Sequence, residues 1–204
     1  LDVIAGSPEA YVGGASAAGT VWIMSWPFSG TAWSDYADVE INGSAAGDRA
    51  GWALSADDLD GDGFDDLVVG AYCDDTAASN AGAAHIFYGP VTSDTSVTSA
   101  DASYLGETSH DYAGHALEVA DMDGDGSSDL LVGARGAGAS SEGVVYVVTS
   151  PGTGSVDLAT VALRLVGEAM DMVGYSLCVG DFDGDGQEDI AVGSPYESTG
   201  GSSA

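Results

Sequence analysis

The chain has 204 residues, of which 33 are acidic and only three are basic, so its formal net charge is −30. This charge repels phosphate backbones and excludes nucleic acid as a partner. Hydrophobic residues make up 45% of the chain, enough for a packed core, which excludes a disordered acidic tail. The carboxylate excess instead favours bound cations or a saline medium, and calcium is the first candidate.

The glycine and cysteine content limits the possible classes of fold further. The chain contains 31 glycines and five prolines, which is typical of many turns between short strands. Cys73 and Cys178 fit neither a disulfide framework nor a zinc site, and we expect both to pack as small hydrophobic side chains. No apolar run reaches ~18 residues and no signal peptide is evident, so we expect no membrane span in this chain.

An internal repeat of about 60 residues organises the sequence. Three similar segments begin at steps of 63 residues (58 to 121) and 60 residues (121 to 181). They are DLDGDGFDDLVVGA from Asp58, DMDGDGSSDLLVGA from Asp121 and DFDGDGQEDIAVGS from Asp181. Each segment joins a turn rich in aspartate and glycine to a short apolar run.

The predicted strands follow one another in the same order in each unit. The first unit, residues 1–43, opens with LDVIAGSP, which matches DIAVGSP after the third loop, so we expect it to lack its first strand. The units 44–106 and 107–167 each contain four strand-like runs, and the unit 168–204 is expected to be partial. The runs LVVGA, LLVGA and IAVGS are continuous and apolar, which predicts strands covered on both faces.

Four short strands per unit predict an all-β fold built from the four-stranded blades of a β-propeller. The chain would then hold about three to three and a half blades. Because propellers close with four to eight blades, we expect it to be part of a larger propeller of about seven blades. Association with other copies or subunits is the less favoured route to closure.

The repeats resemble the FG-GAP repeat of integrin α-subunit propellers and of many bacterial extracellular proteins. The glycine and aromatic position is occupied by Gly51-Trp52, Gly114-His115 and Gly174-Tyr175. The later glycine motif begins at Gly6, Gly70, Gly133 and Gly193. The resemblance covers essentially the whole chain, and it implies the same propeller fold. No inserted domain of the integrin type interrupts the repeats, so integrin-type ligand recognition is not implied.

The three aspartate-rich loops, 58–66, 121–129 and 181–189, predict three calcium sites. Calcium takes six to eight oxygen ligands, and a short loop supplies them from alternate side chains if a glycine permits a sharp turn. Loop positions 1, 3, 5 and 9 carry carboxylates, and position 7 would contribute its backbone carbonyl. The predicted ligands are Asp58, Asp60, Asp62, Phe64 and Asp66; Asp121, Asp123, Asp125, Ser127 and Asp129; and Asp181, Asp183, Asp185, Gln187 and Asp189.

Two alternatives for these loops are disfavoured by the sequence. An EF-hand requires a glutamate at position 12 and flanking helices, whereas Val69, Val132 and Val192 stand there between β-type runs. Dockerin-type modules fail for the same reason. A merely solvated acidic turn does not explain why three copies keep positions 1, 3, 5, 6 and 9 together.

Other residues carry weaker signals. His85, His110 and His115 are expected to have packing or surface roles, and paired carboxylates are too abundant here to indicate glycoside hydrolysis. Trp52 takes the aromatic position of the repeat and is expected in the core. Trp26 and Trp33 lie in a long connection where aromatic rings could bind a ligand or partner.

These observations predict a non-catalytic, calcium-stabilised binding or adhesion module with a protein or glycan partner. An assembly subunit completed by another chain and a propeller domain of a secreted polysaccharide-active enzyme are the alternatives. An extracellular or cell-surface location is expected, because millimolar calcium outside cells fills sites of modest affinity.

Overall fold

Strands dominate the computed structural model, which describes residues 2–25 and 37–196. In this part of the chain the helical segments are two single 3₁₀ turns, Val97–Ser99 and Leu158–Thr160. Neither is long or apolar enough to cross a membrane. The predicted all-β class is therefore confirmed. Trp26 and Trp33, which were considered as ligand-binding rings, lie outside the described residues.

The second and third units each contribute four strands that pair antiparallel with one another, as predicted. Antiparallel pairing follows from the short loops that join neighbouring strands. In the second unit the strands are β4 (Ala53–Asp57), β5 (Asp66–Ala71), β6 (Ala83–Phe87) and β8 (Ala102–Leu105). In the third they are β9 (Ala113–Ala120), β10 (Asp129–Ala134), β11 (Val144–Val148) and β13 (Leu163–Val166).

The first and last units contribute fewer strands to their sheets within the described residues. The first contains β1 (Asp2–Ser7), β2 (Thr20–Ser25) and β3 (Val39–Asn42), paired in chain order. The last contains β14 (Ser176–Gly180) and β15 (Asp189–Gly193), paired as a hairpin. The three sheets with four or five strands have the strand arrangement of propeller blades, and the last sheet shows the first hairpin of one.

Each complete unit also lends a strand to the sheet before it. The short strand β7 (Thr95–Ser96) pairs in parallel with β3 of the first sheet. The strand β12 (Gly154–Asp157) pairs in parallel with β8 of the second sheet, in register from Gly154 opposite Ala102 to Asp157 opposite Leu105. These added strands were not predicted. They cover outer sheet edges that would otherwise expose unpaired backbone groups.

The core lies between successive sheets. The strands β5 and β10 are buried along their whole length, which confirms the prediction from their apolar runs. One cluster packs the second sheet against the third and includes Ile86, Leu130 and Tyr146. A second cluster packs the first sheet against the second and includes Ile41 and Val69. Burial on two faces explains why these strands are continuously apolar.

The last sheet departs from two predictions. Strand β15 was expected to be covered on both faces, but its residues are only half-buried or exposed. Cys178 on β14 was expected to be packed, but it is exposed, while Cys73 is half-buried and both thiols are free. The physical reason is that β15 pairs only with β14 in the described part of the chain, so this sheet has one neighbour to pack against.

Candidate metal centre

The three predicted loops join the first two strands of the second, third and last sheets. Loop 58–66 lies between β4 and β5, whose final pair is Asp57 opposite Asp66. The other two loops occupy the same place between β9 and β10 and between β14 and β15. All three loops therefore project from the same end of their sheets.

The first aspartate of each loop fixes its turn. In the first loop, Asp58 Oδ1 accepts hydrogen bonds from the backbone N–H of Gly61 at 2.7 Å and Asp62 at 3.1 Å, and Oδ2 accepts one from Gly63 at 2.9 Å. Gly61 and Gly63 have φ values of +78° and +91°, which favour glycine. Asp121 and Asp181 accept the same three bonds in their loops.

The carboxylates converge in each loop. One oxygen from each of three aspartates lies within 4.8 Å of the others, and positions 1 and 3 take part every time. The third member is position 5 in the first loop and position 9 in the other two. The groups are Asp58, Asp60 and Asp62; Asp121, Asp123 and Asp129; and Asp181, Asp183 and Asp189.

The remaining predicted ligands lie on the same turns but outside these close groups. Asp66, Asp125 and Asp185 complete the predicted carboxylate sets. The position-7 residues donate their backbone N–H groups to the position-5 carboxylates: Phe64 to Asp62 at 2.9 Å, Ser127 to Asp125 at 2.8 Å and Gln187 to Asp185 at 2.9 Å. Their role as carbonyl ligands stays a prediction.

The aspartate at position 9 also anchors the loop to the sheet. Asp66 is fully buried and accepts hydrogen bonds from the backbone N–H of Leu59 at 2.8 Å and of Gly89 at 2.7 Å. Burial raises the pKa of Asp66, the two hydrogen bonds oppose this shift, and the charge of Asp60 adds to it. Asp66 therefore ties its loop to the turn that follows β6.

The same arrangement recurs in the third sheet. Asp129 accepts hydrogen bonds from the N–H of Met122 at 2.9 Å and of Ser150 at 3.3 Å. Burial raises the pKa of Asp129, these bonds oppose the shift, and the neighbouring Asp123 adds to it. In the last loop, Asp189 accepts from the N–H of Phe182 at 2.9 Å. This anchoring role was not predicted from the sequence.

The donor set fits a hard cation. Every side chain that converges in the three groups is a carboxylate, and no nitrogen or sulfur ligand joins them in the described residues. Carboxylate oxygen suits Ca²⁺ or Mg²⁺ better than zinc or copper. Several groups of this set are exposed, so solvent can hydrate a bound ion. The residues present therefore fit calcium, as the loop spacing predicts.

A second set of aspartates repeats at the opposite end of the sheets. Asp48, Asp111 and Asp171 recur at steps of 63 (48 to 111) and 60 (111 to 171), and all three are buried. Asp48 accepts hydrogen bonds from Ser44 Oγ at 2.9 Å and from the Ala45 N–H at 2.8 Å. Each holds a tight turn before the first strand of its sheet. The repeat spacing carried this signal, but the sequence prediction overlooked it.

The weaker candidates also have defined places. His85 is buried in β6, with Nδ1 2.9 Å from Ser103 Oγ, and His110 is exposed. His115 is half-buried among rings. The expectation that Trp52 belongs to the core was wrong, because its side chain is 43% exposed. It stacks against Tyr72 and His115 with centroids 4.7 and 5.5 Å away, at the start of β4 where the sheet edge meets solvent.

Comparison with known families agrees with these repeats. The FG-GAP repeat family matches residues 50–87, 113–148 and 173–204, a little over half of the chain. The chain belongs to the FG-GAP repeat family. The matches begin at the glycine and aromatic position and include the three aspartate-rich loops.

Several relatives carry the FG-GAP region in longer chains. Phosphatidylinositol-glycan-specific phospholipase D of Rattus norvegicus is 32% identical over 163 residues, which cover 75% of this chain and 19% of the relative. Integrin alpha-7 of Rattus norvegicus is 42% identical over 91 residues, covering 43% of this chain and 8% of the relative. Integrin alpha-3 of Cricetulus griseus is 39% identical over 94 residues, covering 44% and 9%. The chain thus spans less than a fifth of these relatives.

The FG-GAP glycines have a common structural cause. A Cβ added to Gly70 in β5 would lie 2.3 Å from the carbonyl oxygen of Gly114, the second residue of β9 in the next sheet. Gly133 meets Gly174 in the same way at 2.4 Å. The motif therefore keeps two backbones of adjacent blades in contact, a distance that any side chain would prevent.

Proposed function

We propose that this chain is a calcium-stabilised binding or adhesion module, extracellular or at the cell surface, which presents loops to a protein or glycan partner. The observation that carries the proposal is the convergence of three aspartate carboxylates in each of three equivalent loops. The module acts as a non-catalytic scaffold, since its most concentrated carboxylates serve as ligands of the metal.

Calcium would stabilise the second, third and last sheets at their first hairpins. Three like charges within 4.8 Å repel one another, and a divalent ion reverses the sign of that interaction. If free calcium stands at about 100 times the dissociation constant, each site adds roughly 2.7 kcal/mol to the free energy of unfolding. Extracellular calcium is millimolar, so sites of modest affinity would be filled there.

A second candidate follows from the phospholipase D relatives. The alignment with Phosphatidylinositol-glycan-specific phospholipase D covers 75% of this chain, which is more than the integrin alignments cover. In this alternative the propeller is a domain attached to a secreted enzyme. Turnover of a substrate by a longer protein that contains this chain would favour it, whereas ligand binding without turnover favours the adhesion module.

Calcium removal tests the leading proposal. We expect the Tm in 2 mM CaCl₂, about the extracellular level, to exceed the Tm in EDTA by at least ~10 °C, since three sites together contribute several kcal/mol. Magnesium should restore only part of the difference, because it holds its hydration water and prefers octahedral geometry. An unchanged Tm after chelation at neutral pH would overturn the calcium assignment.

Single-loop variants assign the sites. Asp60→Asn, Asp123→Asn and Asp183→Asn each remove one converging carboxylate without changing side-chain size, and calorimetry should then detect one fewer calcium site per variant. Asp65→Asn is the matched control, because Asp65 is exposed and lies outside the converging group. If the control lost a site and Asp60→Asn did not, the ligand set would be wrong.

A further inference from the structure

A pocket lies at the end of the sheets opposite the calcium loops. Its volume is about 510 Å³. We call it the arginine–tyrosine pocket, and its principal lining residues are Arg49, Tyr72, Cys73, Asn80, Tyr112 and Arg135. They precede the first strand or follow the second strand of their sheets, whereas the calcium loops join the other ends of those strands. The loops and the pocket are therefore separate sites.

Two arginine–tyrosine pairs, one from each of two successive repeats, line this pocket. Arg49 and Tyr112 occupy equivalent positions, 63 residues apart, and so do Tyr72 and Arg135. The Arg49 guanidinium lies 5.5 Å from the Tyr72 ring centroid, and the Arg135 guanidinium lies 4.4 Å from that of Tyr112. Arginine and tyrosine thus change places between two successive repeats, and both guanidinium groups line one pocket.

The charges of this pocket are exceptional for the chain. Only three residues are basic, and two of them, Arg49 and Arg135, line the pocket. Arg49 Nε lies 3.2 Å from Glu9 Oε1, and Arg164 outside the pocket lies 3.1 Å from Glu107 Oε1. Arg135 has no carboxylate within 4.0 Å among residues 2–25 and 37–196. A cation without an acidic partner is unexpected beside 33 acidic residues.

The unpaired group is also partly desolvated. The Nε atom of Arg135 is buried and has no hydrogen-bond partner among the described residues. Leaving a buried donor unsatisfied costs free energy, and a charged donor costs more than a neutral one. The buried Asp48 and Asp74 accept hydrogen bonds within their own turns, Asp48 from the Ala45 N–H at 2.8 Å and Asp74 from the Thr76 N–H at 2.7 Å. The terminal guanidinium nitrogens of Arg135 are not among the buried atoms that lack a partner, so an anion in the pocket would pair with the charge through them.

A row of aromatic rings adjoins the pocket through Tyr72, which lines it. The ring centroids of Trp52 and Tyr72 are 4.7 Å apart, those of Tyr72 and His115 are 5.3 Å apart, and those of His115 and Tyr175 are 4.9 Å apart. Trp52 and Tyr175 are each 43% exposed. Exposed rings of this kind pack against the apolar C–H face of a sugar ring while their polar atoms stay hydrated.

We propose that the arginine–tyrosine pocket binds a uronic acid residue of an acidic glycan. The sugar carboxylate pairs with the Arg135 guanidinium, whose planar fork matches a carboxylate, and the pyranose ring packs on the neighbouring aromatic row. The volume falls within the range of sites for small ligands. Arginine clusters also recognise acidic peptides, but the exposed rings of Trp52 and Tyr175 favour a sugar, because they offer an apolar face that a run of aspartates does not use.

The test measures binding of trigalacturonate by calorimetry at about 0.15 M salt, which screens the negative charge of the chain beyond ~8 Å. Free calcium is held constant because the ligand itself binds calcium. We expect saturable binding, at least ~10-fold weaker binding by Arg135→Gln, and an intermediate loss in Arg135→Lys, which keeps the charge but not the fork. Arg164→Gln is the matched control, since it removes one positive charge outside the pocket.

Two further ligands define the specificity. Maltotriose, a neutral trisaccharide, should bind at least ~10-fold more weakly than trigalacturonate if the carboxylate contributes. A triaspartate peptide should also bind more weakly, since it lacks a sugar ring. Equal binding of either ligand, absence of saturable trigalacturonate binding, or equal losses in Arg135→Gln and Arg164→Gln would overturn the assignment. Thermal melts of each variant in calcium verify that it is folded.

The inference rests on the glycan branch of the proposed function, and the two fail separately. If trigalacturonate does not bind but calcium still raises the Tm, the calcium-stabilised module stands and the uronate site falls. If trigalacturonate binds and chelation leaves the Tm unchanged, the uronate site stands and the calcium assignment falls.

Discussion

Contact between Gly70 and Gly114 allows a direct test of how the blades pack. In Gly70→Ala the new Cβ would lie 2.3 Å from the Gly114 carbonyl oxygen and 3.2 Å from its carbonyl carbon. An ordinary carbon to oxygen contact is longer by roughly 1 Å, so one blade must move relative to the next. Both contacting atoms belong to backbone, which cannot rotate away as a side chain can.

The expected cost follows from overpacking. Inserting a methyl group into a packed interior costs about 1–3 kcal/mol, and a clash with backbone lies at the upper end. We expect Gly70→Ala to lower the free energy of unfolding by roughly 3 kcal/mol, which corresponds to a Tm decrease of about 6–12 °C for a chain of this size. Urea denaturation in calcium, followed by tryptophan fluorescence, measures the difference.

Gly152→Ala is the matched control. A Cβ at Gly152 meets nothing within 4 Å, and its φ lies outside the region that favours glycine. The same substitution there should leave the free energy of unfolding unchanged or raise it slightly, because alanine restricts the unfolded chain. If Gly70→Ala came within about 1 kcal/mol of Gly152→Ala, close glycine contact would not be what holds the blades together.

Three further variants test particular side chains. Burial, with a smaller contribution from Arg135, lowers the pKa of His115 to about 4. The folded state is therefore fully stable with respect to this group above the unfolded pKa of 6.5, and it loses stability as the pH falls towards 4, because the unfolded chain takes up the proton first. The free energy of unfolding of His115→Phe minus that of wild type should therefore be larger at pH 4 than at pH 7, by roughly 2 kcal/mol, as measured by urea denaturation at both pH values. The same pH dependence in both proteins would contradict this. Asp66→Ala in EDTA should lower the free energy of unfolding by about 3 kcal/mol in the same assay, because two backbone N–H groups lose their acceptor. Asp65→Ala, at an exposed position, should lower it little, and similar losses in the two variants would argue against the anchoring role of Asp66. Tyr146→Phe removes a 2.7 Å hydrogen bond to Glu107 and should lower the denaturation free energy by about 1 kcal/mol, and no change would show that this bond contributes nothing.

The sequence by itself determined the repeat, the strand class and the calcium-type loops. Strands such as β5 were predictable because a strand covered on both faces needs a continuous apolar run. The convergence of the loop carboxylates was predictable because it depends on local spacing, as in Asp58, Asp60 and Asp62. Calcium binding at these loops stays a prediction. These features are encoded within about ten neighbouring residues, where pattern and geometry are directly linked.

Tertiary structure alone decided the contacts between repeats. The parallel addition of β12 to β8, the approach of Gly70 to Gly114 and the second hydrogen bond of Asp66 to Gly89 join residues that are 23 or more positions apart. The exchanged arginine–tyrosine pairs were visible as letters, but only the fold brings Arg49 and Arg135 to one pocket. Such contacts depend on the spacing and orientation of neighbouring blades. No local periodicity in the chain specifies either of them.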